Sequence, residues 1–223
     1  PAPALAQAMR ELLAVEPAAP AERVEGGSAL PALCRLTDAE YSGRAVDATL
    51  NGRRLRIRPQ EGRVYAASLS DLLSARDSFA SASWSLAPGA TDPAGHADGA
   101  NRSLEAFLLQ SAHQGRGQLP AFPAGQYRLR DWPDVGTAPE LVGALKIARV
   151  LLRGPASADE LRARCGVAAD EVNACLWAYR AANLLEVPDD AANATAVPAL
   201  QSPVGAFTGV LARIAVRFGL GRA

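Results

Sequence analysis

Apolar residues return every three or four positions along several stretches of the chain, and every second position along one. Leu5, Ala8, Leu12 and Val15 share one face, with Arg10 and Glu11 off it, which predicts a helix over 4–15. Glu16-Pro17 closes it, because the residue before a proline is pushed out of the helical region. Residues 17–28 read as a linker or an extended wrap, and β character is expected from about Leu33. The period of two appears at 44–58. Asn51-Gly52 tolerates positive φ at both positions and suits a tight hairpin turn. Around that turn Val46 faces Ile57 and Ala48 faces Leu55 on an apolar side. Asp47 faces Arg56 and Thr49 faces Arg54 on a polar one. Slipping the register by one residue would destroy this sorting. Glu61-Gly62 makes the next turn, and Val64-Tyr65-Ala66 a third strand. Ser70-Asp71-Leu72-Leu73 opens a short helix, and the run to Trp84 and Leu86 returns as a strand.

Residues 87–101 form a long loop rich in Pro, Gly, Ala and Asp, with little apolar surface to offset the entropy of ordering. Asn101 is the expected cap of a helix over 102–113, with Leu104, Phe107, Leu108 and Ala112 on one face. Residues 115–126 are again rich in Gly and Pro. Beyond them Tyr127–Trp132 reads as a strand, and Pro139 opens a helix with Leu141, Leu145, Ala148 and Leu152 on one face. Ser157 and Glu160 have capping-box spacing for a helix to Cys165, which Gly166 stops. Asp170 is the expected cap of a third helix with Val172, Cys175, Leu176 and Tyr179 inward. Asn183 ends it, Leu184–Val187 is a strand, and 189–193 is a turn after which Thr195–Val197 returns. Val204, Phe207, Leu211, Ile214 and Phe218 then form one apolar stripe on a terminal helix, with Pro203 in its first turn and Arg213 and Arg217 near its end.

Composition narrows the function. Among 223 residues, Lys plus Arg number 23 and Asp plus Glu 23, so the net charge is zero. That excludes a surface built throughout for nucleic acid or anionic lipid and leaves only local patches. No run approaches the length of a membrane-spanning helix. The first residues lack a charged segment followed by an apolar one, so no leader is expected. Cys34, Cys165 and Cys175 are scattered and make no disulfide framework. A soluble, cytoplasmic protein is the expectation.

Candidate chemistry is sparse. Only His96 and His113 are present, and the cysteines form no Cys-x-x-Cys pair, so no metal site is expected. No nucleophile elbow, phosphate-binding loop or dinucleotide turn occurs. A Cys–His pair drawn from distant parts of the chain is an arrangement the spacing leaves open. The expectation is a protein that is not an enzyme and uses no cofactor.

The order helix, short helix, Gly-containing turn, third helix and hairpin resembles the winged helix-turn-helix superfamily. Ser157 through Leu161, Cys165-Gly166-Val167, Asp170-Glu171-Val172 and Leu184-Leu185 carry the resemblance, which covers 139–198. It implies a winged-helix fold there and, for many members, DNA binding through the third helix. This chain departs from that use. Its third helix opens with Asp170 and Glu171, its wing carries Asp189 and Asp190, and Arg180 is the single basic residue between Val167 and Val187. Such a surface repels phosphate.

The sequence thus predicts an α+β protein. A small N-terminal domain with a β-hairpin sheet and helices spans 1–114, and a linker 115–126. A winged-helix domain spans 127–200, and a C-terminal amphipathic helix 201–223. The expected function is an adaptor or signalling module that binds a partner protein, or itself, through the winged-helix surface or the last helix. A winged-helix DNA-binding regulator with an N-terminal sensing domain is the alternative, and membrane-surface contact is the least favoured. Candidate partner-binding residues are Asn173, Trp177 and Arg180 on one stripe of the third helix, and Phe207, Leu211, Ile214 and Phe218 on the terminal one. For Trp177 interdomain packing is the preferred reading, and for the terminal stripe packing on the chain itself is preferred over docking. Arg54, Arg56 and Arg58 project from one strand face, either as an anion site or as a solvated face balanced by Asp47.

Overall fold

The computed structural model describes residues 22–23, 28–38, 45–89, 99–136 and 138–186. The expected helix over 4–15, the body of the loop at 87–101, the wing beyond Glu186 and the terminal helix with Phe207, Leu211, Ile214 and Phe218 lie outside them.

The first half begins with β1 (Glu22–Arg23) and α1 (Ala29–Asp38), then the meander β2 (Val46–Leu50), β3 (Arg53–Arg58) and β4 (Arg63–Ala66). Next come α2 (Leu69–Phe79), β5 (Ser85–Pro88), β6 (Ala100–Ser103) and α3 (Leu104–Gln114). The six strands form one antiparallel sheet in the order β1-β5-β2-β3-β4-β6. The hairpin has the expected register in all five pairs, from Val46–Ile57 to Leu50–Arg53. Its turn places Asn51 at φ 49° and Gly52 at φ 79°, the positive values its turn type needs. Val46, Ala48, Leu55, Ile57, Val64, Ala66 and Leu86 are buried under the helices. Phe79 seals this layer, its ring 5.6 Å from that of Trp84 and 5.4 Å from that of Phe107.

The second half contains β7 (Arg128–Leu129), α4 (Val142–Arg153), α5 (Ala158–Cys165), α6 (Ala169–Ala181) and β8 (Leu185–Glu186). A short 3-10 turn at Pro139–Leu141 leads into α4. β7 and β8 pair antiparallel, and Tyr127 bridges to Ala156. The capping box at Ser157 and Glu160 is formed, and Gly166 ends α5 at φ 64°. The architecture is therefore α+β. A continuous buried cluster runs from Ala29 in α1 to Leu185 in β8. Its link is α6, which packs on α3 and α1 of the first half and on α4 and α5 of the second. Polar ties repeat the connection along α3. The Ser103 hydroxyl donates to the Asp134 carbonyl, Gln110 Nε2 donates to Glu140 at 2.8 Å, and Arg116 pairs with Asp170 at 3.2 Å.

Several expectations need correction. The segment around Leu33 is helical, not β. Ser28 Oγ accepts the Leu30 amide, and Pro31 lies in the first turn, where its missing N–H costs nothing. The helix expected to open at Ser70 begins at Leu69, capped by Ser68, which accepts the Asp71 amide. Asn101 sits in β6, paired with Tyr65, so Ser103 caps α3 instead. Asp170 lies in the first turn of α6 and is not its cap, which is Ala168. The buried face of α4 is Ala144, Ile147, Ala148 and Leu151, with Leu145 and Leu152 at its margins.

The end of α3 approaches the end of α2 so closely that a Cβ on Gly115 would lie 2.7 Å from Ala80 Cβ and 3.1 Å from its carbonyl carbon. Gly115→Ala is expected to destabilise the protein by about 1–3 kcal/mol through overpacking. A lowered urea midpoint checks this; an unchanged midpoint would mean the two helix ends separate freely.

Candidate functional site

Asn173 and Trp177 lie one turn apart on α6, as their spacing requires. The chain itself occupies both. Asn173 Oδ1 accepts the Phe122 amide at 2.7 Å, and its Nδ2 donates to the Pro120 carbonyl at 2.9 Å. Trp177 Nε1 donates to the same carbonyl at 2.8 Å. The Phe122 ring meets Trp177 edge-on at 4.8 Å and Tyr127 at 5.4 Å. The Tyr127 hydroxyl donates to the Pro123 carbonyl. Residues 120–127 are thus held along α6 by side chains that read, in sequence, as partner-binding. Arg180, the third member of the stripe, is half-buried.

Arg54, Arg56 and Arg58 do project from one face of β3, and each meets a carboxylate. Asp47 accepts Arg54 Nη2 at 2.5 Å and Arg56 Nε at 2.8 Å. Arg58 pairs with Glu61 at 2.8 Å, and its guanidinium lies 5.2 Å from the Tyr65 ring centroid. The Asp47–Arg56 pair is buried, with Arg56 only 4% exposed. Burial works to raise the Asp47 carboxyl, but the hydrogen bonds from Arg56 and Arg54 outweigh it and hold its pKa below the ordinary 3.8. Only Arg54 presents most of its side chain to solvent. The balance by Asp47 is far tighter than a solvated face would need.

A shallow cleft between α3, α4 and α6 brings His113, Glu140, Glu171 and Cys175 together among apolar side chains. This is the Cys–His neighbourhood that sequence spacing left open. Burial pushes the Cys175 thiol far up, and Glu171 and Cys165 push it the same way. A thiol so held stays protonated at neutral pH and is a poor nucleophile. Glu140 goes the opposite way. Its own backbone N–H, then Gln110, hold its carboxyl below the ordinary value, so it stays ionised. Among the described residues no cluster of His, Cys, Asp and Glu could hold a metal ion. None of their helices is long and apolar enough to cross a membrane.

The sequence reading missed the outer face of α4. Lys146, Arg149 and Arg153 are exposed there, on a helix without a single Asp or Glu. The signal was present as basic residues at spacings of three and four between apolar ones. No protein-family model, no curated protein and no solved structure matches the chain.

Proposed function

We propose that the chain is a non-enzymatic protein-interaction module, an adaptor or signalling component of the cytoplasm, whose second half is a winged-helix unit with its third helix turned inward. The observation that carries this reading is the burial of α6. Val172, Ala174, Cys175, Leu176, Ala178, Tyr179 and Ala181 are buried, and α1, α3, α4 and α5 all pack against this helix. A helix that reads a DNA groove must present a face to solvent. The fully exposed residues of α6 are Ala169 and Asp170 in its first turn, while Glu171, Asn173, Trp177 and Arg180 are half-buried. The order of α4, α5, the Gly166 turn, α6 and β8 supports the winged-helix reading. The terminal stripe of Phe207, Leu211, Ile214 and Phe218 is the second surface through which a partner or another copy of the chain would dock.

The competing reading is a DNA-binding regulator with an N-terminal sensing domain. Fluorescence anisotropy with mixed-sequence duplexes separates the two. The proposal expects binding no tighter than about 10⁻⁴ to 10⁻⁶ M at physiological salt. Nanomolar binding with a steep salt dependence would overturn it.

A further inference from the structure

We infer that the outer face of α4, with Arg164 of α5 beside it, docks an acidic segment of a partner protein. The inference rests on the protein-interaction reading above and names the surface and the chemistry of the partner. Lys146, Arg149 and Arg153 recur at i, i+3 and i+7, so they form one stripe about 10 Å long. Among the described residues no carboxylate lies within ion-pair distance of these three or of Arg164, although Arg164, after the hydrogen bonds of Ser157 and Gln126, does draw down the Glu160 carboxyl one turn before it. The neighbouring ion pairs use other cations, Arg162 with Asp159, Arg130 with Glu186 and Arg116 with Asp170. Burial raises the Cys165 thiol while Arg164 and Lys146 both pull it down, so a cation from each helix lies near this residue.

Charge complementarity calls for an anionic occupant, and two features favour a protein over a nucleic acid. The first is apolar surface within the stripe. Val142, one turn before Lys146, is 52% exposed, and Val150 and Leu152 are half-buried alongside. Valine adds contact with a protein side chain and nothing with phosphate. The second is a fence of carboxylates. Glu140 precedes α4, the Glu171 carboxylate lies against Gly143, and Asp159 and Glu160 open α5. A continuous phosphate track would run into these groups. A short segment with a few carboxylates and an apolar side chain fits between them.

The test uses the full chain and a fluorescent synthetic peptide about three helical turns long, with glutamates along one face and leucines beside them. Wild type is compared with K146E/R149E/R153E and with R53E/R63E/R102E, which reverses three exposed cations of the sheet. Circular dichroism checks folding, and glutamine at the same α4 positions replaces glutamate if the first variant unfolds. The expected result is salt-sensitive peptide binding that weakens about tenfold or more in the α4 variant. The sheet variant should stay within about threefold of wild type. Absence of peptide binding to wild type, or equal loss in both variants, overturns the inference and leaves the interaction reading standing. Displacement of the peptide by a duplex that itself binds at nanomolar concentration overturns both. Anionic vesicles that sediment wild type but not the α4 variant also overturn the inference.

Discussion

Replacing Tyr179 by alanine is expected to weaken both halves of the chain together. Tyr179 is fully buried in α6, and its hydroxyl donates to the Ala144 carbonyl of α4 at 2.6 Å. Removing the ring deletes core contacts on a helix that both halves share, a loss of about 3–5 kcal/mol. That is a large part of the roughly 5–15 kcal/mol that holds a domain folded. Tyr179→Phe keeps the ring and removes the hydrogen bond, so it should cost only about 1 kcal/mol. Urea unfolding followed by tryptophan fluorescence and by far-ultraviolet circular dichroism checks both. The two signals should coincide and shift together. A Tyr179→Ala protein whose sheet unfolds at the wild-type midpoint would show that α6 does not join the halves.

The second large effect lies in the hairpin. Asp47→Ala strips the buried Arg56 guanidinium of its carboxylate and is expected to cost about 3 kcal/mol at neutral pH. The effect has a defined acid limb. The Asp47 carboxyl lies below its ordinary 3.8 when folded, so its contribution is fully present above that value. It is lost as the pH falls through the lower, folded pKa. Urea midpoints of wild type and Asp47→Ala should therefore stay apart at neutral pH and converge only below about pH 4. Convergence already at pH 5 to 6 would assign the effect to another group.

The hairpin was legible because two independent signals agree on it. Asn51-Gly52 locates the turn, and only one register puts Val46, Ala48, Leu55 and Ile57 on the same side. The capping box at Ser157 and the stop at Gly166 were legible for the same reason, since backbone chemistry alone decides them. The illegible parts depend on distant partners. The α1 segment is short and holds Pro31, and it is helical because its buried Ala29, Leu30, Ala32 and Leu33 pack against β5 and α6. Asn101 is a good cap locally, but pairing with β4 claims it. The face of α4 is rotated because its partners are α5, α6 and β7, and Ala144 rather than Leu145 is fully buried among them. Nothing within 115–126 announces that the Pro120 carbonyl would be taken by Asn173 and Trp177 of α6. Trp177 suited both a partner and internal packing, and its hydrogen bond goes to the chain itself.

The account turns on α6 being a core helix shared by the sheet half and the helical half. Native-state hydrogen exchange, followed residue by residue as urea is raised, measures this most directly. The account predicts that amides in the middle of α6, around Leu176 to Tyr179, exchange only through the same global opening as the amides of the β2–β3 hairpin, with one free energy and one urea dependence. Exchange of α6 through a cheaper opening, while the hairpin stays protected, would contradict it, because the third helix would then be free to leave the sheet half.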